Sequence, residues 1–281
     1  MSSPLPLPNL AKQEIEETMV QKIEFDARAA KATEAMYQTP DVVGQRIAVL
    51  SALSLMPGER VLDIGVGPGL LAEDAAKMVG QQGSVVGIDI SEAMVTMART
   101  RCAALPQAEF SVADATKLDF PNDHFDVAVS TQVYEYVEDV PAALRELCRV
   151  MKPGARALIL DTDWDSIVWH SSDRDLMRRV LECWNAHLAD PHLPMTLAPK
   201  LRNAGFHVQR VDVVPLMSVG FQPHSYAAGM MKAILSFVRK VGESHGLSPE
   251  EVQAWYDDQL RLAECGSFFF SLNRYLFLAS K

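Results

Sequence analysis

Three glycines at alternate positions, Gly65, Gly67 and Gly69, follow a short apolar run in the segment VLDIGVGPGLL. Glycines at this spacing let the backbone pass close to a bound molecule and turn directly into the start of a helix. Asp89 closes the next apolar run, 22 residues after Gly67 (89 − 67), where a carboxylate can accept hydrogen bonds from ribose hydroxyls. The spacing therefore predicts a site for a cofactor that contains a nucleoside.

The glycine pattern alone leaves two kinds of cofactor open, because the run GPGLLA at 67–72 also fits the G-x-G-x-x-A dinucleotide fingerprint. Two further acids distinguish them. Asp63 lies inside the first apolar run, where a dinucleotide site normally has apolar packing, and Asp114 follows the third run, where it can accept from the adenine amine. Three carboxylates suit a cationic sulfonium nucleoside better than a pyrophosphate. The pattern favours S-adenosylmethionine, and a NAD-dependent oxidoreductase is the less favoured alternative.

The segments that must position these residues alternate between strand and helix patterns. Strand-like runs lie at 60–64, 84–89, 110–112, 125–129 and 155–160. A helix is expected to begin at Leu70 and another to be capped by Ser91. This alternation predicts an α/β fold with a doubly wound parallel sheet.

The flanking segments are predicted to be mainly helical. After a proline-containing tail, a helical pattern over 11–55 is interrupted at Thr39 and Pro40. Later helices are expected at 172–188, 196–204, 223–243 and 248–264, the last opened by a capping box. Strands are expected at 208–214 and 272–278. The apolar stripe of the 223–243 helix fits core packing, the roof of an acceptor pocket or a homodimer contact.

Several blocks in order give the sequence a more specific identity than the glycines alone. It resembles the class I S-adenosylmethionine-dependent methyltransferases over about Val43 to Leu160, in the blocks VLDIGVGPG, VVGIDISEAM, VADATKLDFPNDHFDVAVST and LRELCRVMKPGARALI. The style is that of the small-molecule branch with the ubiquinone/menaquinone-type and natural-product enzymes. The resemblance implies a Rossmann-like, seven-stranded, mostly parallel sheet whose last strand, here NRYLFLAS, is antiparallel.

On this basis the chain is divided into three parts. Residues 1–42 are expected to form the N-terminal tail and cap helices, and residues 43–165 the core that binds S-adenosylmethionine. Residues 166–281 are expected to supply acceptor-region helices and the last two strands of the same sheet.

The resemblance also implies roles for individual residues. Gly65, Gly67 and Gly69 would line the methionine part of the cofactor. Asp89 would hold the ribose hydroxyls, and Ile90 would pack against adenine.

Five other residues are expected around the same cofactor. Asp114 and Ala115 would sit at the adenine edge, while Gln132 would face the sulfonium or the amino-acid end. Arg46 would pair with the methionine carboxylate. Asp63 would support the glycine loop and the cofactor's ammonium group.

The implied reaction is an in-line displacement that moves a methyl group to an oxygen, nitrogen or carbon of a small organic acceptor and leaves S-adenosylhomocysteine. Such a reaction needs alignment and exclusion of water, and sometimes a base, but no enzyme nucleophile. The candidate catalytic residues are His170, Glu135 and Tyr134. Tyr134, Tyr136 and Tyr37 are also candidates for an aromatic wall around the sulfonium. A surface histidine and ordinary packed aromatics are the simpler alternative for these positions.

Two other functions retain the fold. A cyclase or another enzyme could use S-adenosylmethionine without transferring its methyl group, and a partner subunit could have lost activity. The intact glycines and Asp89 argue against lost cofactor binding.

Composition limits the partners. The 281 residues carry 36 acids and 26 bases, a formal net charge of −10, which disfavours nucleic acid and anionic membranes. The four cysteines are far apart, and the start of the chain does not read as a secretory signal. We therefore expect a cytoplasmic protein. No metal is expected, because His187 and His192 are five residues apart and do not share a helical face.

Overall fold

The computed structural model describes residues 27–281, so the expected proline-containing tail and the helical pattern before residue 27 lie outside the described residues. Helix α1 spans Ala27–Tyr37 and helix α2 spans Pro40–Leu53. Thr39 separates them in an extended conformation, and its hydroxyl donates a 2.7 Å hydrogen bond to the carbonyl oxygen of Met36. The expected interruption at Thr39 and Pro40 is confirmed.

The next part of the chain alternates strands and helices as predicted. The strands are β1 (Arg60–Ile64), β2 (Ser84–Asp89), β3 (Ala108–Val112), β4 (Phe125–Thr131) and β5 (Met151–Thr162). The helices between them are α3 (Leu70–Val79), α4 (Glu92–Arg101) and α5 (Val140–Val150). The expected start of α3 at Leu70 is confirmed, as is the Ser91 cap, whose hydroxyl accepts from the backbone N–H of Met94 at 3.4 Å.

The later part of the chain adds three strands and four helices. These are β6 (Val168–Trp169), α6 (Arg174–Asn185), α7 (Leu193–Asn203), β7 (His207–Val219), α8 (Tyr226–Val241), α9 (Pro249–Glu264) and β8 (Phe269–Ser280). Strands β5, β7 and β8 are longer than the sequence pattern indicated. The register between β4 and β5 is irregular between Phe125 and Val127 of β4. Pairing therefore already begins at Met151 of β5, before Pro153.

The strands form one sheet in the order β3-β2-β1-β4-β5-β8, with β7 on the far side of β8. β8 is antiparallel to both β5 and β7, which confirms the expected antiparallel last strand. The two-residue β6 pairs with β8 beyond the end of β5 and brings the count to eight. The seven longer strands therefore match the seven-stranded, mostly parallel sheet that the resemblance implies.

Three apolar clusters hold this sheet in place. Helices α2, α3 and α4 pack on one face and α5 and α7 on the other. The third cluster joins α6, α8 and α9 to the start of β8 through Trp164, Trp169, Trp184 and Trp255. These helices cover the end of the sheet that carries the candidate site. Among the helices described from Ala27 onward, none is both long and apolar enough to cross a bilayer.

Candidate active site

A cavity of about 510 Å³ opens at the carboxyl ends of β1, β2 and β4. β1 lies between β2 and β4, where the strand order reverses, and open α/β sheets bind ligands at such a point. We call it the central cavity. Of the cofactor-binding residues expected from the sequence, eight line it: Arg46, Gly65, Gly67, Asp89, Ile90, Asp114, Ala115 and Gln132.

The glycine loop forms one wall of the central cavity. Gly65, Gly67 and Gly69 have φ values of 71°, 53° and 80°, in the left-handed region that favours glycine. A Cβ atom at Gly65 would lie 2.1 Å from Cγ2 of Val133. Gly69 is not part of the lining, because it packs α3 against α4, where an added Cβ would lie 2.8 Å from Cα of Ala98.

Asp89 connects the glycine loop to the end of β2. Its Oδ2 accepts a 2.9 Å hydrogen bond from the backbone N–H of Gly67, and its Oδ1 accepts one of 2.9 Å from Ser91. Burial raises the pKa of this carboxyl, and the backbone donors oppose that shift. Beside it, Ile90 is 76 % exposed at the cavity wall, an apolar surface that a flat ring could cover.

Asp63 lies behind the loop and does not line the cavity. It is 2 % exposed, and its Oδ2 has no hydrogen-bond partner among residues 27–281. Burial, reinforced by the charge of Asp89, raises the pKa of Asp63 to about 7. This side chain is therefore a buried acid next to the loop rather than a direct wall of the site.

The end of β3 supplies Asp114 and Ala115. Oδ1 of Asp114 accepts 2.8 Å hydrogen bonds from both the backbone N–H and the hydroxyl of Thr116. One carboxylate oxygen thus stabilises its own turn, at the edge of the cavity where adenine was expected.

Gln132 and Arg46 both line the cavity but are engaged with other protein groups. Gln132 has a φ of 61°, and its side-chain amide donates to the Thr162 hydroxyl. Arg46 donates from Nε to Asp74 at 2.9 Å. Its charge is therefore partly compensated before any ligand binds.

The candidate catalytic residues lie outside the lining of the cavity. His170 is exposed, and its Nδ1 lies 2.7 Å from the carbonyl oxygen of Ser267. Tyr134 is fully buried in the cluster on the α5 side of the sheet. Neither side chain therefore reaches the central cavity.

Glu135 is buried beneath the cavity wall. Its Oε2 accepts a 3.2 Å hydrogen bond from Nε1 of Trp164, and burial raises the pKa of Glu135 to about 7 against the opposing charge of Arg274. The short 3₁₀ turn at Tyr134–Tyr136 explains the outcome. It turns Tyr134 and Glu135 into the interior, whereas Val133 and Tyr136 line the cavity.

The histidines considered for a metal site are separate. His187 is buried among Trp184, Trp164 and Phe237, and burial lowers its pKa to about 4. Nδ1 of His192 instead lies 3.3 Å from Asp163. No group of three or more metal-binding side chains is found in the part of the chain that the structure describes.

Sequence reasoning missed Arg274, which lines the cavity from the middle of β8. Its guanidinium donates to the amide oxygen of Gln45 and, at 2.8 Å, to the hydroxyl of Tyr226. The sequence did contain a pattern that indicates the burial of this residue. Residues 272, 274 and 276 share one face of a strand, and Leu272 and Leu276 are core residues, so Arg274 had to be buried with them.

The match to a protein family covers the part of the chain from β1 to the start of β5. A family model described as "Methyltransferase domain" matches residues 61–154. The "2-phytyl-1,4-naphtoquinone methyltransferase" of Synechococcus elongatus is 47% identical over 108 residues, which are 37% of this chain and 46% of that protein.

A longer match is found in Streptomyces fradiae. The "Uncharacterized 37.1 kDa protein in transposon TN4556" is 33% identical over 236 residues, 82% of this chain. The chain spans 65% of the length of that relative and less than half of the Synechococcus enzyme.

Solved structures agree on the fold. The [4+2]-cyclase SpnF matches with a TM-score of 0.57 and 22% identity over 85% of this chain and 81% of that one. Phosphoethanolamine N-methyltransferase 2 of Haemonchus contortus, in complex with S-adenosyl-L-methionine, matches with a TM-score of 0.59 and 19% identity over 93% of this chain and 59% of that one. At these identities the likeness shows the fold alone.

Proposed function

Since the chain carries a class I S-adenosylmethionine-dependent methyltransferase domain, we propose that it transfers a methyl group from this cofactor to an oxygen, nitrogen or carbon of a small organic acceptor. The observation that carries the proposal is the hydrogen bond from the Gly67 N–H to Asp89 at the wall of the central cavity. It joins the glycine loop of β1 to the acid that ends β2. This is the pair of features that a nucleoside cofactor requires.

The cavity residues fit this cofactor. The open side of Gly67, with no atom within 4 Å of an added Cβ, leaves room for a ligand against the backbone. Asp89 would hold the ribose, Ile90 would cover adenine, and Asp114 and Ala115 would lie at the adenine edge. Asp63 lies behind the loop and outside the cavity lining, so it is not among the residues that would contact the cofactor.

When bound, the cofactor supplies an electrophilic methyl group on a positively charged sulfur. The contribution of the protein is then to align the acceptor and exclude water. Half-buried Tyr37 and Tyr136 line the cavity on the α1 and β4 sides, and their rings suit a neighbouring sulfonium. Proton removal by His170, Glu135 or Tyr134 is not part of this proposal, because none of them lines the cavity.

The acceptor is proposed to be a small molecule rather than nucleic acid. A net charge of −10 opposes a phosphate backbone. The name of the Synechococcus relative, a quinone methyltransferase, supports an organic acceptor with an apolar body.

A second function on the same fold is use of the cofactor without methyl transfer, as in a cyclase. The structural likeness to the [4+2]-cyclase SpnF raises this alternative. The two functions differ in one product, because only methyl transfer releases S-adenosylhomocysteine.

Calorimetric titration of the purified full chain with S-adenosylmethionine and S-adenosylhomocysteine, with NAD as control, tests the proposal. We expect both sulfur cofactors to bind and Asp89→Ala to weaken them. An acceptor screen scored by release of S-adenosylhomocysteine then follows. Binding of NAD instead, or turnover of an acceptor without release of S-adenosylhomocysteine, would overturn the proposal.

A further inference from the structure

Gln132, directly after β4, has a left-handed backbone conformation that side chains other than glycine rarely adopt. Its φ is 61°. Within residues 27–281 the non-glycine residues with positive φ are Ser54, Asp123 and Gln132, and of these Gln132 alone lines the central cavity. Such conformations persist only where the surrounding structure holds them, and they cluster at binding sites.

The end of β5 holds this conformation through hydrogen bonds to consecutive residues. The backbone N–H of Gln132 donates to the carbonyl oxygen of Leu160 at 2.7 Å. The backbone N–H of Val133 donates to Oδ1 of Asp161 at 2.9 Å, and the side-chain amide of Gln132 donates to the hydroxyl of Thr162. Asp161 and Thr162 are both fully buried, so water does not compete for these contacts.

The contact with Thr162 determines which end of the Gln132 amide faces the cavity. Nε2 donates to the Thr162 hydroxyl, so the nitrogen is directed at β5. The other end, Oε1, accepts no hydrogen bond among residues 27–281 and is not one of the enclosed polar atoms that lack a partner. Since the side chain lines the cavity and is only half-buried, this carbonyl oxygen is the polar atom that it presents to a ligand.

The charge of the surrounding wall suits a cationic ligand. The described lining contains carboxyl side chains at Asp89, Asp114, Glu138 and Asp139. Of its two arginines, Arg46 is paired with Asp74, and Arg274 is 0 % exposed. A carbonyl oxygen is the negative end of the amide dipole, so at this wall it attracts a positive charge more strongly than a neutral group of the same shape.

We propose that Thr162 is a positioning residue of the cofactor site. Through the carbonyl oxygen of Gln132 it raises the affinity for the sulfonium of S-adenosylmethionine relative to the neutral thioether of S-adenosylhomocysteine. This inference rests on the proposed function, because it concerns the cofactor and the product of that reaction. Asp161 has the corresponding role for the backbone, since it holds Val133 against Gly65. Loss of this attraction on methyl transfer then favours release of the product.

Calorimetric titration of the full chain with S-adenosylmethionine and S-adenosylhomocysteine gives the ratio of the two affinities for each variant. Thr162→Val removes the hydroxyl but keeps the shape of the side chain, whereas Thr162→Ser keeps the hydroxyl. We expect Thr162→Val to lower the relative affinity for S-adenosylmethionine by about three- to tenfold, the size of one net polar interaction. Thr162→Ser should retain most of it.

The matched control is Ser130→Ala. It removes a buried hydroxyl of β4 that makes no hydrogen bond among the described residues. This variant should leave the ratio of affinities unchanged, which separates the loss of the Thr162 contact from the loss of any buried hydroxyl in the sheet.

A double-mutant cycle shows whether Thr162 acts through Gln132. Gln132→Met keeps the length of the side chain but removes the amide, and it should lower the same ratio. In the Gln132→Met background, Thr162→Val should have no further effect on the ratio, because the amide that Thr162 positions is absent. Additive effects would limit Thr162 to a general structural role and overturn the inference.

The remaining outcomes separate this inference from the proposed function. If the wild type binds neither sulfur cofactor, the proposed function itself fails. If it binds both but Thr162→Val leaves the ratio unchanged, only the role of Thr162 is overturned. A higher ratio in Thr162→Val would place the amide nitrogen toward the cavity and also overturn it. If Thr162→Val does not fold, Gln132→Met decides: a lowered ratio supports the inference, and an unchanged one removes the amide from the site.

Discussion

Val133 packs so closely against Gly65 that a Cβ atom at Gly65 would lie 2.1 Å from Cγ2 of Val133. The chain just after β4 therefore restricts the position of the glycine loop that follows β1. Since both residues line the central cavity, the shape of the cofactor site depends on this contact as well as on the conformational freedom of glycine.

The first prediction separates these two effects. Gly65→Ala should destabilise the protein more than Gly67→Ala, because both residues have positive φ but only Gly65 has a close neighbour. Left-handed strain costs roughly 1–2 kcal/mol in either case. The double variant Gly65→Ala with Val133→Ala should recover only the part of the stability loss that comes from the contact with Val133. Urea denaturation of the ligand-free variants measures this, and equal losses in the two single variants would contradict it.

The second prediction concerns Asp89. Asp89→Ala removes the acceptor for the Gly67 and Ser91 N–H groups and the proposed ribose contact. Hydrogen bonds to a charged group contribute about 1.5–3 kcal/mol, so affinity for S-adenosylmethionine should fall by roughly ten- to a hundredfold. Asp119→Asn, an exposed acid outside the cavity lining, is the matched control. Unchanged titration curves for Asp89→Ala would remove Asp89 from the site.

The third prediction is a pH dependence of stability. Burial first, and Asp89 second, raise the pKa of Asp63 from an ordinary 3.8 to about 7. The folded state thus favours the protonated acid. Its contribution is most favourable below the unfolded pKa, and stability is lost as pH rises through the folded pKa.

Asp63→Asn should abolish this loss. The stability difference between variant and wild type should grow between about pH 4 and pH 7 and then level off, reaching up to about 4 kcal/mol at roughly 1.4 kcal/mol per pKa unit. Chemical denaturation of ligand-free protein at several pH values gives the profile. A difference that does not vary over this range would show that Asp63 is already ionised.

The fourth prediction is that Glu135 has a structural role rather than a catalytic one. Glu135→Ala leaves the buried Nε1–H of Trp164 without its acceptor and should destabilise the chain by about 1–3 kcal/mol. Glu135→Gln keeps an oxygen there and should lose less. Denaturation midpoints compare the two variants. If Glu135→Gln is fully stable but lacks methyl transfer, the side chain acts in the reaction instead.

The fifth prediction concerns His170. The ring is exposed, its Nδ1 lies 2.7 Å from the Ser267 carbonyl oxygen, and it does not line the cavity, so His170→Ala should retain cofactor affinity, melting temperature and rate of S-adenosylhomocysteine release. General bases contribute at least about a hundredfold to rate. A loss of that size with unchanged cofactor binding would restore His170 as the base.

Most residues of the cofactor half of the site could be predicted from the sequence, because the patterns that identify them are local. The glycine loop and Asp89 lie within 25 residues, on elements whose order fixes their position. The residues of the acceptor half could not be predicted from local patterns. Arg274 meets Gln45 across 229 positions of sequence, and this contact requires both the pairing of β8 with β5 and the packing of α2 on the sheet. Likewise, the strand pattern placed Tyr134 and Glu135 beyond β4 but could not show that a 3₁₀ turn directs them inward.

The position of β8 also has a consequence for the order of folding. Within residues 27–281, β7 pairs with β8 alone, and β8 is the strand that joins it to β5. β7 therefore cannot enter the sheet on its own and must dock with β8 as an antiparallel ribbon after, or together with, the parallel strands. The side of the sheet formed by β7 and β8 therefore depends on pairings between segments that are more distant in sequence than those of β1 with β2.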